Sequence, residues 1–128
     1  MATEILDSPV FLNPPPIPSK TFRRPTLRSA GNISQLVTPL VEIFETGRWT
    51  IYCNQVITNQ RIYFKLSVMA FDKYGKLLFE VFTDRWQFDG AGNYPNRSHE
   101  ELKIDNMRIV RNDFARIANI GIGYTPVN

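Results

Sequence analysis

At 128 residues the chain has room for one domain and little space for a second. Its 43% apolar and 21% charged residues exclude global disorder, and its apolar runs are too short to cross a bilayer as a helix, so no membrane partner is expected. Net charge is only +3, and the single cysteine, Cys53, excludes an internal disulfide and a cysteine-based zinc site.

Residues 1–35 form the first unit expected from the sequence, an extended, proline-rich, basic arm. Seven of the nine prolines (Pro9, Pro14, Pro15, Pro16, Pro18, Pro25 and Pro39) fall within the first 39 residues. Proline has no amide donor and excludes helix and central strand, which leaves an extended, partly polyproline II path. From Ser19 to Ala30 there are four cations, Lys20, Arg23, Arg24 and Arg28, and no acid. Apolar residues are spaced through the same stretch, which a purely solvated linker does not need. Phe11, Ile17, Phe22 and Leu27 therefore read as anchors for a partner, with Arg23, Arg24 and Arg28 facing an acidic surface or nucleic acid.

Residues 36–128 read as a β-rich globular domain. Leu40 to Thr46 is a first short strand, stopped at Gly47. In Arg48–Ile57 the period of two places Trp49, Ile51, Cys53 and Ile57 on one face and Arg48, Thr50, Tyr52 and Asn54 on the other. Thr58–Gln60 is a turn. Arg61–Phe71 alternates most cleanly, with Ile62, Phe64, Leu66, Val68 and Ala70 inward. Asp72–Lys76 is a hairpin loop whose Gly75 suits a left-handed position. Leu77–Phe88 returns antiparallel, and its first half is apolar on both faces, as in a strand central to a two-layer sandwich or covered by another element. Asp89–Ser98, with Gly90, Gly92 and Pro95, reads as an irregular loop, and Glu101–Val110 as a further strand. For residues 112–122 two readings stay open, a short helix carrying Phe114, Ile117 and Ala118 or a strand.

The fold class that follows is mainly β: a small antiparallel sandwich or partly open barrel of five to seven strands, with the N-terminal arm and one short C-terminal helix as an option. No motif for catalysis emerges. Asp84, Asp89, Glu100, Glu101 and Asp105 are explained by a solvated strand face and a polar loop, and His99, the only histidine, by loop surface. Gly90 and Gly92 lack the strand–glycine–helix context of a phosphate loop. No enzymatic activity, cofactor or metal is therefore expected.

The leading expectation is a structural subunit of a larger assembly of the virion type, a capsid, tail or auxiliary protein. Its arm would strap onto neighbouring subunits, of its own kind or another. An arm on a small β-domain is a layout of virion subunits, and that expectation rests on architectural analogy. The alternative is a single-stranded nucleic-acid-binding protein using Arg48, Tyr52, Arg61, Tyr63 and Lys65, because such proteins stack bases on aromatic rings above a cationic groove. The N-terminus shows no basic and apolar signal regions, so synthesis in the cytoplasm is expected, with a virion as one destination.

Overall fold

The computed structural model describes residues 17–101 and 112–127. Ten strands make up this part. They are β1 (Ser19–Arg23), β2 (Leu27–Arg28), β3 (Ser34–Val37), β4 (Leu40–Phe44), β5 (Trp49–Thr58), β6 (Ile62–Phe71), β7 (Leu77–Phe82), β8 (Trp86–Phe88), β9 (Gly92–Glu101) and β10 (Asn119–Pro126). They form two antiparallel sheets packed as a sandwich, the mainly β architecture expected from the alternating patterns.

Each sheet is built on one long strand. In the first sheet β5 pairs along its length with β9 and, on its other side, with β4 and β3 placed end to end. β1 and β2 then pair with β4 and β3. In the second sheet β6 pairs along one side with β10 and on the other with β7 and β8. The chain changes sheets at residues 59–61, where Asn59 donates to the Ile33 carbonyl at 2.9 Å, and again around residues 89–91. Between the sheets lie Trp49, Ile51, Cys53, Phe64, Leu66, Val68 and Ala70, all essentially without solvent contact. Phe64 is the aromatic centre, with ring centroids 4.9 Å from Tyr124, 5.7 Å from Phe88 and 5.8 Å from Trp86.

Strand β6 buries the residues its alternation predicts, with Ile62 half-buried at the end. The Asp72–Lys76 hairpin also forms as expected. Gly75 has φ of 81°, a conformation costly for any residue with a Cβ. The Asp72 carboxylate accepts the Tyr74 and Lys76 amides at 2.9 Å each.

Several expectations are corrected. The first sheet begins at Ser19, well before the boundary expected near residue 35. Residues 19–28 form a β row whose proline, Pro25, falls in the break between β1 and β2, where no ladder amide is required. Asp89–Ser98 is not an irregular loop: from Gly92 it is strand β9. Among the described residues β9 pairs only with β5, and such a one-sided position tolerates Pro95. Leu77–Phe88 is two strands rather than one. Thr83 bridges the break, its amide donating to the Leu66 carbonyl at 2.9 Å and its hydroxyl accepting the Leu66 amide at 3.0 Å. In β5 the inward face changes parity: Trp49, Ile51 and Cys53 are buried, but then Val56 and Thr58, leaving Ile57 half-exposed. The change coincides with Thr38 (φ 40°), in the break between β3 and β4, and Asn96 (φ 54°), in β9, which flank Asn54 on its two sides. Asn54 Nδ2 donates to Thr38 Oγ1 at 3.1 Å, and the Tyr52 hydroxyl donates to Asn96 Oδ1 at 2.6 Å. Residues 112–122 resolve into a 3-10 turn at Phe114–Arg116 followed by β10. Apart from Glu101, the strand expected over Glu101–Val110 lies outside the described residues.

Candidate functional site

Two features stand out on this scaffold, the root of the N-terminal segment and the outer face of the second sheet. The root is rigid. β1 is locked to β4 over Ser19–Arg23, and one step further out the Glu45 amide donates to the Pro18 carbonyl at 2.9 Å. Lys20 crosses to the other sheet. Its Nζ donates to the carbonyls of Ile117 (2.8 Å) and Ala115 (3.2 Å) and lies 5.2 Å from the centre of the Phe114 ring. A cation beside carbonyl oxygens and a ring face is favourably placed on both counts.

The expected arm residues separate accordingly. Phe22 and Leu27 are partly buried and pack against the protein's own core. Their alternation with Thr21, Arg23 and Arg28, read as arm spacing, is ordinary strand alternation at a sheet edge. Arg23 and Arg28 are exposed, Arg24 is half-buried, and Ile17 is 53% exposed at the point where the chain leaves the sandwich. Phe11 lies outside the described residues.

The five residues expected to form a basic–aromatic face do not share one. Tyr52 points outward from the first sheet, and Arg48 lies just before β5 with its guanidinium 5.2 Å from the Phe44 ring. Tyr63 and Lys65 point outward from the second sheet, with Arg61 beside them. The guanidiniums of Arg61 and Arg85 each lie 5.0 Å from the centre of the Tyr63 ring, and Arg61 Nε also donates to the Tyr63 hydroxyl. A base stacking on Tyr63 would compete with them for the ring.

The outer face of the second sheet changes character along β6. At one end stand Arg61, Tyr63, Lys65 and Arg85. Toward the other lie Met69, Phe71 and the exposed Leu77 (48%) and Phe82 (60%), with Glu80 opposite Met69. On β10 the same face carries Gly121 and Gly123, opposite Met69 and Ser67. A Cβ on Gly123 would come 2.4 Å from Ser67 Oγ, and one on Gly121 3.2 Å from the Phe71 ring, so β6 side chains fill the space over these glycines. The sequence shows Leu77–Phe82 as apolar on both faces; in the sandwich Phe79 and Val81 are buried while Leu77 and Phe82 stay exposed.

A cleft of about 350 Å³ opens beside β8 and β9, lined by Trp86, Phe88, Asp89, Tyr94 and Arg97. It is walled partly by core aromatics, since Tyr94 sits 4.8 Å from Phe88. Burial pushes the Cys53 thiol up to about 12, which keeps it protonated and unreactive as a nucleophile in the folded protein. Among the described residues no three of His, Cys, Asp and Glu gather as metal ligands, and no helix is long and apolar enough to cross a membrane. Asp84 and Asp89 flank β8. His99, Glu100 and Glu101 fall within β9 opposite Ile51, Thr50 and Trp49, and Asp105 lies outside the described residues.

Comparison with protein-family models, curated proteins and solved structures finds no match to this chain.

Proposed function

We propose that the protein is a non-enzymatic structural subunit of a larger assembly, of the virion type, whose N-terminal segment straps onto a neighbouring subunit. The observation carrying this reading is the rooted segment. β1, the Pro18–Glu45 hydrogen bond and the Lys20 clasp fix the point from which the first sixteen residues depart. That stretch holds Ile5, Leu6, Val10, Phe11 and Leu12, five apolar residues that gain by burial against a partner. Fully extended it could reach roughly 50 Å, farther than the width of a domain this size. An anchored base and a long apolar lead suit a strap, because interface area grows without a larger core.

The test is sedimentation of the full chain beside a chain beginning at Ile17, at low and high salt. A cut nearer residue 31 would remove β1 and β2 and damage the first sheet. The reading predicts larger species from the full chain alone, little changed by salt. Identical oligomeric states for the two chains would overturn it.

The second reading, single-stranded nucleic-acid binding, draws support from Arg61, Lys65 and Arg85, which have no carboxylate within 4.0 Å among the described residues. Adding a single-stranded oligonucleotide to the same runs separates the two. Phosphate binding would weaken steeply with salt, by a slope proportional to the phosphates neutralised.

A further inference from the structure

At the end of the sandwich where β6 begins and β10 stops, a cavity of about 400 Å³ opens between β10 and the loop after β2. Its wall is made by Ile33, Ile62, Tyr124 and Pro126, with Arg28 and Ser29 on the side of the first sheet. We infer that this cavity binds a small linear carboxylate, its aliphatic chain on the apolar wall and its head group paired with Arg28. The inference does not depend on the strap reading.

Fixed groups build the site. On the first-sheet side, the Ser29 amide donates to the Ser34 carbonyl at 3.0 Å and the Ser34 amide donates to Ser29 Oγ at 2.9 Å. Asn59 holds the far end of that loop, its amide donating to the Ile33 carbonyl at 2.9 Å and its Nδ2 to the Asn32 carbonyl at 3.2 Å. On the second-sheet side, the Tyr124 ring centre lies 4.9 Å from that of Phe64, and the Tyr124 hydroxyl accepts from Ser34 Oγ at 3.1 Å. That bond gives the hydroxyl a partner across the two sheets and leaves the ring as wall. The Val127 amide donates to the Tyr63 carbonyl at 2.9 Å and fixes the end of β10. A site walled on both sides by bonded elements is formed before a ligand arrives, which lowers the cost of binding.

Shape selects a chain. A second depression, of about 350 Å³, shares Ile33, Ile62 and Pro126 with the first and continues to Tyr63 and Val127. The shared residues give the two hollows a common apolar floor, which a flexible aliphatic chain can follow and a compact ring cannot. Each methylene laid on that floor leaves water and gains by burial.

Charge selects the head group. Among the described residues no acid lines either hollow, whereas the cleft beside β8 and β9 carries Asp89 and the cavity at the hairpin carries Asp72. Arg28 is exposed and has no carboxylate within 4.0 Å among the described residues. Arg61, in the second depression, is already engaged by the hydroxyl and the ring of Tyr63. A carboxylate therefore finds its cation at Arg28, whose planar guanidinium can hold both oxygens.

The test is isothermal titration calorimetry of the full chain with hexanoate, octanoate and decanoate, each below its micelle-forming range. Affinity is expected to rise about fourfold per added methylene, roughly fifteenfold per two-carbon step, at one ligand per chain. Arg28→Gln is expected to weaken octanoate about three- to tenfold at low salt and to leave 1-octanol unchanged, because the alcohol carries no charge. Ala30→Phe, at an exposed position on the same wall, fills the cavity and is expected to abolish binding of both. Absence of binding, affinity independent of chain length, or binding that survives Ala30→Phe would overturn the site. Binding lost with Ala30→Phe but indifferent to Arg28→Gln would overturn the carboxylate as its ligand. Circular dichroism of both variants separates loss of the site from loss of fold.

Discussion

Thr83 is the side chain whose replacement tests the architecture of the second sheet most sharply. Between β7 and β8 the ladder against β6 lapses, and the Thr83 hydroxyl accepts the Leu66 amide at 3.0 Å in a site where Thr83 is 3% exposed and Leu66 fully buried. Thr83→Val keeps the shape and removes the acceptor. The Leu66 amide is then orphaned inside the sandwich, which costs about 1–3 kcal/mol. The added methyl recovers part of that through apolar burial, so a net loss of about 1–2 kcal/mol is expected. With a urea slope of about 1–1.5 kcal/mol per molar for a domain of this size, the midpoint falls by roughly 1 M. Urea titration followed by the fluorescence of Trp49 and Trp86 reads this directly, with the exposed Thr125→Val as control. A midpoint within about 0.3 M of the parent, the scale of an ordinary surface change, would refute the claim that Thr83 closes the ladder.

Other consequences concern single groups. The Lys76 amide, with help from that of Tyr74 and from Arg116 at 3.8 Å, holds the Asp72 carboxyl below the usual carboxylate range. A depressed folded-state value means the ionised form stabilises the fold. That contribution is present above about pH 4, the unfolded carboxylate range, and is lost as pH falls through the folded value. Asp72→Asn should therefore lower the urea midpoint at pH 7 and converge on the parent as pH falls through the folded-state value; a gap independent of pH would contradict this. Cys53, with its thiol pushed up to about 12 by burial, should resist a thiol reagent at pH 8 in the folded protein and react stoichiometrically in urea. Rapid labelling without denaturant would show that the core opens at β5. Gly123→Ala should destabilise the second sheet, and Ser67→Ala in the same chain should relieve most of the loss, because the clash is with Ser67 Oγ at 2.4 Å. Additive effects in urea titrations of the two singles and the double would dismiss that contact.

What the sequence made legible was decided by local rules. β6 was readable because five inward apolar residues alternate with polar ones, and the loop after it because Gly75 and Asp72 carry their own turn chemistry. β9 was hidden because it pairs on one side and carries Gly92 and Pro95, the residues that ordinarily mark a loop. β1 was hidden by the prolines on either side of it, Pro18 and Pro25. In β5 the run from Ile51 to Ile57 fits either parity beyond Asn54, and the choice of Val56 over Ile57 goes with the left-handed Thr38, between β3 and β4, and Asn96, in β9. A single strand's pattern cannot carry that information. The candidate face was half legible. The two-sided apolar character of Leu77–Phe82 was visible, but its union with Met69, Phe71 and the two β10 glycines required the sheet.

The most direct test of the strap is sedimentation of the full chain beside a chain beginning at Ile17, at equal concentrations and at low and high salt. The account predicts larger species from the full chain alone, little changed by salt. Identical sedimentation of the two chains would contradict it.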